Sequence, residues 1–411
     1  MCNNGVILSG VEGSRAITMK TIEQKAKKVP AIRFAGFEDE WVEKKLGEMA
    51  SFSKGMGYSK GDLKENGTPI VLYGRLYTKY ETIISDVDTF ADAKSNSVYS
   101  KGGEVIVPGS GETAEDISIA SVVKKSGVLL GGDLNVITPP KNLDSVFLAI
   151  SISNGKPHSD MAKMAQGKSV VHLHNTDLAE INLPYPNIIE QQKIGSFFSN
   201  IDSLISLEQK KYDKLTQVKK SMLEKMFPKE GATVPEIRFA GFTGSWERKK
   251  LGKISNIVTG TLDANAAQKD GLYSFFTCGK EVLKTNSYAF EGNAILINGN
   301  GDLGFTRKFS GKFNAYQRTY VLQNFAVDFE YVEHCIHRYL PNRIVNESFG
   351  GAMPYIKLNT LSDLLLPIPS EKEMKCISLY LNDIDSLISL QQRKLDKLKN
   401  IKKSLLEKMF V

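Results

Sequence analysis

The chain lacks the features that mark membrane, secreted and disulfide-bonded proteins. Across 411 residues no apolar run approaches the ~18 residues of a membrane span, and the first residues have neither a basic leader nor a long apolar segment. The four cysteines, Cys2, Cys278, Cys335 and Cys376, show no CxxC spacing, which indicates reduced thiols and no disulfide framework. We therefore expect a cytoplasmic protein with no membrane association.

Signatures of catalysis are also missing. The sequence has no P-loop, no serine nucleophile elbow and no Asn-Pro-Pro-aromatic box of the amino-methyltransferases. Residues Gly299–Gly304 fit the pattern G-x-G-x-x-G, but the following residues alternate like a strand, so a hairpin turn is favoured over a dinucleotide loop. The pairs His334/His337 and His172/His174 lack the ligand number typical of zinc sites. No catalytic residue, bound metal or cofactor is predicted.

What the sequence does contain is an internal duplication. Residues 183–227 and residues 366–410 are identical at 25 of 45 aligned positions. Between Pro186 and Pro228 the first copy has no proline and only one glycine, Gly195, and it is rich in good helix formers. If ~40 residues are helical, each copy forms a rod about 60 Å long.

Both copies carry the apolar spacing of a coiled-coil seam, in alternating steps of four and three residues. Two equivalent positions of the seam are polar in each copy: Glu208 and Lys219 in the first copy, and Gln391 and Lys402 in the second. The simplest partner for one helix is therefore the other helix, in an antiparallel pair. The alternative is that each helix packs only on its own domain. The predicted apolar seam residues are Ile194, Phe198, Ile201, Ile205, Leu215, Met222, Ile377, Leu381, Ile384, Ile388, Leu398 and Leu405.

A second duplicated segment opens each half, because Val29–Ala50 and Val234–Ser255 match at 13 of 22 positions. Trp41 and Trp246, the only tryptophans, occupy matching positions in this lead segment and are expected to anchor a core. Between lead and helix lie two different middle regions. The predicted organisation is an N-terminal extension, expected to be disordered (1–28), a first variable domain (29–182), a first long helix (183–227), a second variable domain with its lead (228–365) and a second long helix (366–411).

The middle regions predict a mixed α+β structure with more strand than helix. Short β-branched and aromatic runs are separated by Gly and Pro, at residues 69–78, 103–112 and 127–138 in the first region and 272–280, 293–302, 303–311 and 316–324 in the second. Helical stretches are predicted around 144–154 and 328–340. Both regions close with similar residues, which predicts one fold for both and a pseudo-twofold chain.

The net charge of +7 does not by itself indicate nucleic-acid binding. Residues 51–182 contain 13 basic and 15 acidic side chains, and residues 256–365 contain 10 of each. Both variable regions are therefore close to neutral, and the basic excess lies in the duplicated segments.

Taken together, the features of residues 29–410 resemble the specificity subunits of type I restriction-modification systems. The resemblance rests on the lead VPxIRFAGFxxxWxxKKLG, the LPxPxxxE entry to each helix, the repeated IDSLISL and KKSxLEKMF segments and the two dissimilar middle regions. It implies two target-recognition domains that each read one half of a bipartite asymmetric target in double-stranded DNA, joined by two long spacer helices.

The resemblance also implies partners that perform the chemistry. Two methyltransferase (M) subunits would methylate adenine, and two restriction (R) subunits would join the full complex. S-adenosylmethionine, ATP and Mg would then belong to these partners. Exposed leucines of the helices, such as Leu204 and Leu387, are expected to contact the methyltransferase subunits, with an ordinary solvated face as the alternative. Met1 and Met19 are both candidate start residues.

Base readout would fall to basic and tyrosine side chains in the polar loops, although each of them could equally be solvated surface. Three rivals remain: a silent or orphan specificity cassette, the specificity half of a fused restriction-methylation enzyme, and a coiled-coil scaffold that binds only protein. The DNA-binding candidates are Lys54, Tyr58, Lys60, Arg75, Tyr77, Lys79 and Lys168 in the first domain and Lys269, Lys280, Arg307, Lys308, Tyr316, Arg318 and Lys357 in the second.

Overall fold

The chain divides into two units that share its two long helices. The computed structural model describes residues 29–164, 170–347 and 354–410. The expected disorder of residues 1–28 and the candidate Lys168 lie outside these described residues. The first unit contains the described residues up to Glu208 and from Lys394 onward, and the second contains Gln209–Arg393. Among the described residues, none of the helices has the length and apolar character needed to cross a membrane.

The first unit is built from short strands and helices. Its strands are β1 (Val42–Lys45), β2 (Ser51–Lys54), β3 (Thr68–Val71), β4 (Ile83–Ile84), β5 (Phe90–Ala91), β6 (Glu104–Pro108), β7 (Ser110–Gly111), β8 (Ser121–Val123), β9 (Leu129–Leu130), β10 (Leu134–Thr138), β11 (Val171–His172) and β12 (Asn182–Tyr185). Its helices are α1 (Gly74–Thr78), α2 (Ala114–Ile117), α3 (Ser145–Ile152), α4 (Gly155–Met164), α5 (Asn175–Ala179) and the start of α6 (Ile188–Lys225).

A five-stranded sheet forms the centre of the first unit, in the order β2-β10-β6-β8-β4. Its neighbouring strands are antiparallel except for the parallel pair β8 and β4. A three-stranded sheet, β5-β3-β9, and the pairs β1-β12 and β11-β7 complete the unit. Strand β6 is buried along its whole length because the unit has apolar side chains packed on both sides of it.

The second unit repeats this plan with longer strands. They are β13 (Glu247–Lys250), β14 (Asn256–Thr259), β15 (Tyr273–Phe276), β16 (Val282–Thr285), β17 (Phe290–Asn298), β18 (Thr306–Ala315), β19 (Thr319–Gln323) and β20 (Leu365–Ile368), with helices α7 (Leu251–Ile254), α8 (Phe329–Glu347), α9 (Leu358–Ser362) and α10 (Glu371–Met409). The main sheet has the order β14-β19-β17-β18-β15-β16, with β15 and β18 parallel. Strand β13 pairs with β20 as β1 pairs with β12.

The long helices begin where the prolines end. Residues Asn182–Tyr185 and Leu365–Ile368 form edge strands against the lead segments, because Pro184 and Pro367 cannot donate a backbone hydrogen bond within a helix. Helix α6 then runs for 38 residues and helix α10 for 39. All predicted seam residues are buried or half-buried.

In the first unit, the start of α6 packs antiparallel against the end of α10. Asp202 pairs with Lys402 at 2.5 Å, and Glu208 pairs with Lys394 at 2.8 Å, so the two helices run in opposite directions. Glu208, one of the polar residues of the seam, is 4% exposed. Its carboxylate therefore requires the lysine as a partner in this seam.

In the second unit, the end of α6 packs against the start of α10 in the same way. Lys219 pairs with Asp385 at 2.5 Å, which repeats the pair of the first unit with the acid and the base exchanged between helices. Val218, Met222 and Ile388 pack beside the second core. The charged polar residues of the seam, Glu208, Lys219 and Lys402, are thus ion-paired.

In each unit a backbone hydrogen bond joins the lead segment to the C-terminal end of one long helix. In the first unit the backbone N–H of Ile32 donates to the carbonyl of Lys408 at 2.9 Å, and in the second Ile237 donates to Lys225 at the same distance. Trp41 and Trp246 are 2% and 4% exposed. The prediction that both tryptophans anchor a core is confirmed.

A bidentate ion pair joins each lead to the first turn of a long helix, with Arg33, Glu190 and Glu373 buried and Arg238 half-buried. Arg33 donates through Nε and Nη2 to the two carboxylate oxygens of Glu190, both at 2.7 Å. Arg238 binds Glu373 in the same bidentate manner at 2.6 and 2.8 Å. The hydrogen bonds that Arg238 donates to Glu373 raise the pKa of the guanidinium. Bidentate geometry offsets part of the desolvation of these charges.

Most elements predicted in the middle regions are present, and one differs. The strand expected over residues 69–78 ends at Val71, and residues Gly74–Thr78 form a helical turn. The turn begins with backbone bonds from Arg75 to Leu72 and from Leu76 to Tyr73. In this helical turn the Arg75 side chain binds the carboxylates of Glu81 and Asp88. These tertiary contacts outweigh the strand propensity of residues 69–78.

Candidate nucleic-acid interface

A surface rich in basic side chains lies around the β17–β18 hairpin of the second unit. The N–H of Gly299 donates to Arg318 O at 2.8 Å, and that of Asp302 donates to Cys278 O at 3.1 Å. The N–H of Ile356 donates to Gly299 O at 2.8 Å. Three separate loops therefore meet at this hairpin. We call this the second turn surface, which consists of Lys280, Gly299–Gly301, Arg307, Arg318 and Lys357.

The hairpin depends on glycine. Gly301 and Gly304 have φ values of 64° and 74°, a region that favours glycine. A Cβ at Gly299 would lie 2.5 Å from Arg318 O, so no side chain fits between the two loops. The pattern G-x-G-x-x-G thus forms a strand-to-strand turn, and the prediction of a hairpin instead of a dinucleotide loop is confirmed.

Arg307 is held in place at the base of this turn. Its guanidinium donates to Gly279 O at 2.5 Å and to Lys280 O at 3.2 Å, and it lies over the ring of Phe305 at 4.8 Å. Burial lowers the pKa of Arg307, and the nearby Asp302 partly opposes this effect. A cation held by carbonyls and an aromatic ring retains charge that can act on an anionic or electron-rich ligand.

The first unit forms a matching surface from different side chains. Gly109 donates to Asp133 O at 2.6 Å, and Leu173 donates to Gly109 O at 3.0 Å. These bonds repeat those of Gly299 with Arg318 and Ile356. We call this the first turn surface, which consists of Lys54, Gly109–Ser110, Asp133, His172 and His174.

The two turn surfaces differ in charge at equivalent backbone positions. Asp133 stands where the second unit has Arg318, and both side chains are exposed. His174 stands where the second unit has Lys357, since each precedes the short helix that follows the bond to the turn glycine. One backbone frame thus presents an acidic and imidazole surface in the first unit and a basic surface in the second.

The sequence-predicted residues of the first unit fall into two groups. Lys54, Lys60 and Lys79 are exposed. Tyr58 is 6% exposed, and its hydroxyl donates to Asp92 O at 3.1 Å. Arg75 is 9% exposed and binds the carboxylates of Glu81 and Asp88. These contacts favour structural roles for Tyr58 and Arg75.

Lys79 belongs to the cluster around Arg75, whereas Tyr77 contacts the first turn surface. Lys79 pairs with Asp88 at 2.8 Å, and hydrogen bonds from Lys79 and Arg75 hold the pKa of Asp88 well below its ordinary value. Tyr77 donates to the carbonyl of Ser110, and burial raises its pKa. Tyr77 therefore supports the first turn surface from beneath.

In the second unit, Lys280, Arg307, Arg318 and Lys357 meet at the second turn surface, as described above. Tyr316 is half-buried next to Arg318 in the loop between β18 and β19. Lys269 is exposed and lies outside the second turn surface. The backbone N–H of its neighbour Gln268 donates to the carbonyl of Lys284 in β16. Lys308 is not part of the second turn surface, because its ammonium group pairs with Glu330 and, at 3.0 Å, with Glu333.

Sequence reasoning missed Asp133, His172 and His174 as surface residues. The loop that follows β9 joins the surface through two bonds that Asp133 accepts, one from the backbone N–H of Gly109 and one from the hydroxyl of Ser110. His172 and His174 have parallel rings 6.4 Å apart. Non-local backbone bonds of this kind leave no local sequence signal.

A separate polar cluster lies between α8 and α10 within the second unit. Glu333, His334 and His337 bring one ligating atom each to within 4.8 Å of one another. Burial, followed by the positive charge of Lys219, lowers the pKa of both histidines to about 4. Burial also raises the pKa of Glu333, while Lys308 opposes that effect.

A protein-family model matches most of this chain. The model describes the type I restriction modification DNA specificity domain, and it matches twice, at residues 38–217 and 244–400. Each match contains one variable region and most of the following helix. The family match therefore follows the internal duplication.

Similar proteins and folds agree with this match. The chain is 35% identical over 158 residues to the Type I restriction enzyme EcoDI specificity subunit of Escherichia coli, which is 38% of this chain and 35% of that protein. It is 21% identical over 315 residues to the Type I restriction enzyme MjaVIII specificity subunit of Methanocaldococcus jannaschii, covering 69% of this chain and 73% of that protein.

Among solved structures, the crystal structure of a type I restriction-modification system S subunit from M. genitalium matches 93% of this chain and 99% of its own, with a TM-score of 0.61 and 16% identity. A chain from a structural study of complex assembly and conformational transition of the type I R-M system matches 90% of this chain and 97% of its own, with a TM-score of 0.53 and 16% identity. At this identity the likeness concerns the fold. With its duplicated frame and its twofold family match, the chain belongs to the type I restriction-modification specificity subunits.

Proposed function

We propose that this chain reads a bipartite, asymmetric target in double-stranded DNA, with one half-site read by each unit, and that it performs no chemistry itself. The proposal rests on one observation above others. The two turn surfaces share a backbone frame, yet they carry different side chains at equivalent positions, opposite in charge for Asp133 against Arg318 and different in chemistry for His174 against Lys357. Two readers of this kind would select two different sequences.

The side chains fit the edges of base pairs. An arginine such as Arg318 can donate two hydrogen bonds to O6 and N7 of guanine in the major groove, whereas a carboxylate such as Asp133 accepts from N4 of cytosine. Contacts of this type specify sequence, while contacts to phosphates mainly add affinity. A nearly neutral reading domain is compatible with specificity when other subunits supply phosphate contacts.

The partners follow from the family. We propose that two methyltransferase (M) subunits bind this chain and methylate adenine in the target, and that two restriction (R) subunits join the full complex, with S-adenosylmethionine, ATP and Mg on those partners. The repeated IDSLISL segments support a docking role, because they leave Leu204, Leu207, Leu387 and Leu390 between 48% and 58% exposed. Two equivalent apolar patches suit two copies of one partner.

The test is a single-molecule methylome of cells that carry this gene together with a methyltransferase gene of the same system, compared with cells in which this gene is deleted. The proposal predicts loss of one bipartite N6-methyladenine motif on deletion. An unchanged methylome would contradict it and would favour a silent or orphan cassette.

A gel-shift measurement separates DNA reading from a protein-binding scaffold. The full chain is mixed with a methyltransferase subunit and a duplex that contains the motif, at fixed salt. We expect a specific complex that a duplex with one altered half-site does not form. Equal binding of both duplexes would contradict sequence-specific reading.

A further inference from the structure

Glu333, His334 and His337 lie on one face of α8 and form a set of metal-ligating groups. Glu333 and His337 are four residues apart, a spacing that places both side chains on the same side of a helix. One carboxylate oxygen and two ring nitrogens lie within 4.8 Å of one another. A carboxylate with two imidazoles is a donor set that suits zinc and neighbouring divalent transition metals.

The orientation of His334 is fixed by its neighbours. Asn382 on α10 donates through Nδ2 to Glu330 at 3.2 Å, which directs its amide oxygen towards the histidine. That oxygen lies 3.1 Å from Nε2 of His334, so Nε2 carries the ring proton. The lone pair of the ring is therefore on Nδ1.

This lone pair is a buried acceptor with nothing to accept. His334 is fully buried, and its Nδ1 has no hydrogen-bond partner among the described residues. An unsatisfied buried acceptor is costly and calls for an explanation. A carboxylate or amide that fixes one imidazole nitrogen and leaves the other free is the usual outer shell of a metal-bound histidine.

Lys308 is the present partner of Glu333, with 3.0 Å between Nζ and the carboxylate. It also pairs with Glu330. Glu333 can therefore exchange the lysine for an ion while Lys308 keeps a carboxylate. The exchange leaves no buried charge without a partner.

The frame of the domain does not require this cluster. In the first unit α3 is the equivalent of α8. Asp144 caps α3 as Asp328 caps α8. Phe147 packs against Phe410, which follows α10, as Tyr331 packs against Phe227, which follows α6. The positions equivalent to Glu333, His334 and His337 are then Ala149, Ile150 and Ser153.

We propose that Glu333, His334 and His337 bind one divalent transition-metal ion of the zinc class in the second unit. The three side chains supply three ligands, and water completes the coordination. All three ligands lie on α8, and Asn382 on α10 orients His334 from outside the coordination shell. The proposal is independent of the proposed reading of DNA.

The test uses the purified full chain after removal of metals by a chelator. Zn²⁺ alone is titrated by calorimetry, and Co²⁺ is used as a probe because its visible absorption reports ligand geometry. The binding variants are E333Q and H337Q, since His337 is only half-buried and its replacement is tolerated more readily. The matched control is H172Q/H174Q, which removes the other close pair of histidines, both exposed.

We expect one equivalent of Zn²⁺ in the wild type and in H172Q/H174Q, and affinity weaker by about tenfold or more in E333Q and H337Q. Zn²⁺ should also raise the Tm of the wild type more than that of H337Q, and circular dichroism confirms that each variant is folded. Wild-type protein that binds no Zn²⁺, undiminished binding in both E333Q and H337Q, or loss of binding in H172Q/H174Q would overturn the proposal.

Discussion

Trp41 and Phe410 lie near opposite ends of the sequence, yet their rings pack edge to face with centroids 6.3 Å apart. Phe227 and Trp246 make the equivalent contact, with ring centroids 6.5 Å apart, but these two residues lie in the same part of the sequence. Each unit is thus completed by the end of a long helix. In the first unit that end comes from the far end of the chain.

Replacement of these two phenylalanines should therefore destabilise different units. We expect F410A to destabilise the first unit and F227A the second, each by about 3 kcal/mol, because a buried ring is removed from an aromatic cluster. Hydrogen exchange read by mass spectrometry would locate the loss of protection. The control I189A removes a side chain that is 68% exposed and should change neither unit. Equal loss of protection in both units for F410A would contradict this assignment.

The pairs Arg33–Glu190 and Arg238–Glu373 should differ in their sensitivity to removal of a single partner. We expect E190Q to destabilise the first unit by about 3 kcal/mol, because it leaves a guanidinium with an incomplete set of acceptors in a buried site. E373Q should destabilise the second unit by less, because the Arg238 side chain is 18% exposed and water can replace the lost acceptor. Urea unfolding measures the change. The control is K45Q, whose pair with Glu180 is exposed and should contribute less than about 1 kcal/mol. Similar losses for E190Q and K45Q would exclude a special role for the buried pair.

The sequence identified the repeated frame because the evidence for it is local. Heptad spacing, prolines at the helix entry and two matching tryptophans are all visible within short stretches, and the structure confirms the helices and the buried Trp41 and Trp246. The division of each helix between two units was less accessible. It depends on pairings such as Asp202 with Lys402, which join residues far apart in the chain.

The candidate surface was predicted less well for the same reason. Lys280, Arg307, Arg318 and Lys357 come together through backbone bonds from Gly299 and Asp302 of the hairpin to distant loops. Residue type alone could not separate exposed Lys60 from buried Arg75, since burial of an arginine depends on carboxylates that the fold supplies. The assignment of base contacts to all these residues stays a prediction.

The turn surfaces give a mutational prediction about sequence specificity. We expect R318A to relax or lose one base position in one half of the methylated motif, at a cost of about 1–3 kcal/mol, and to leave the other half unchanged. D133N should affect only the other half. Methylome sequencing reads both outcomes. The matched control is K269A, an exposed lysine of the same unit that lies away from the second turn surface. A change in both half-sites for R318A would contradict independent reading.

The histidines of the second unit should make its stability depend on pH. Burial keeps His334 and His337 neutral in the folded chain, with pKa values lowered to about 4, whereas histidines of the unfolded chain titrate near 6.5. The unfolded state therefore binds protons first as the pH falls, and stability present above about pH 6.5 is lost progressively towards pH 4.

Measured in the presence of a chelator, the Tm of this unit should fall by on the order of 5 °C between pH 7.5 and pH 5. H337Q should reduce this dependence because one proton-linked group is removed. The control H172Q/H174Q should retain it. A dependence that H337Q leaves unaltered would assign the effect to other groups.

The continuity of α6 and α10 predicts how the two half-sites are spaced. Both helices pass from one unit into the other without interruption, near Glu208 in α6 and Arg393 in α10. An insertion of four residues at both points lengthens each helix by about 6 Å, or slightly more than one turn.

We expect this double insertion to lengthen the unread spacer of the methylated motif while both half-sites keep their sequence. An insertion in α6 alone is the informative control, because it moves the seam of one helix past the other and separates pairs such as Lys219 and Asp385. It should lower stability and methylation together. If the double insertion altered the half-sites themselves, base reading would depend on the helices, and the two turn surfaces could not be independent readers.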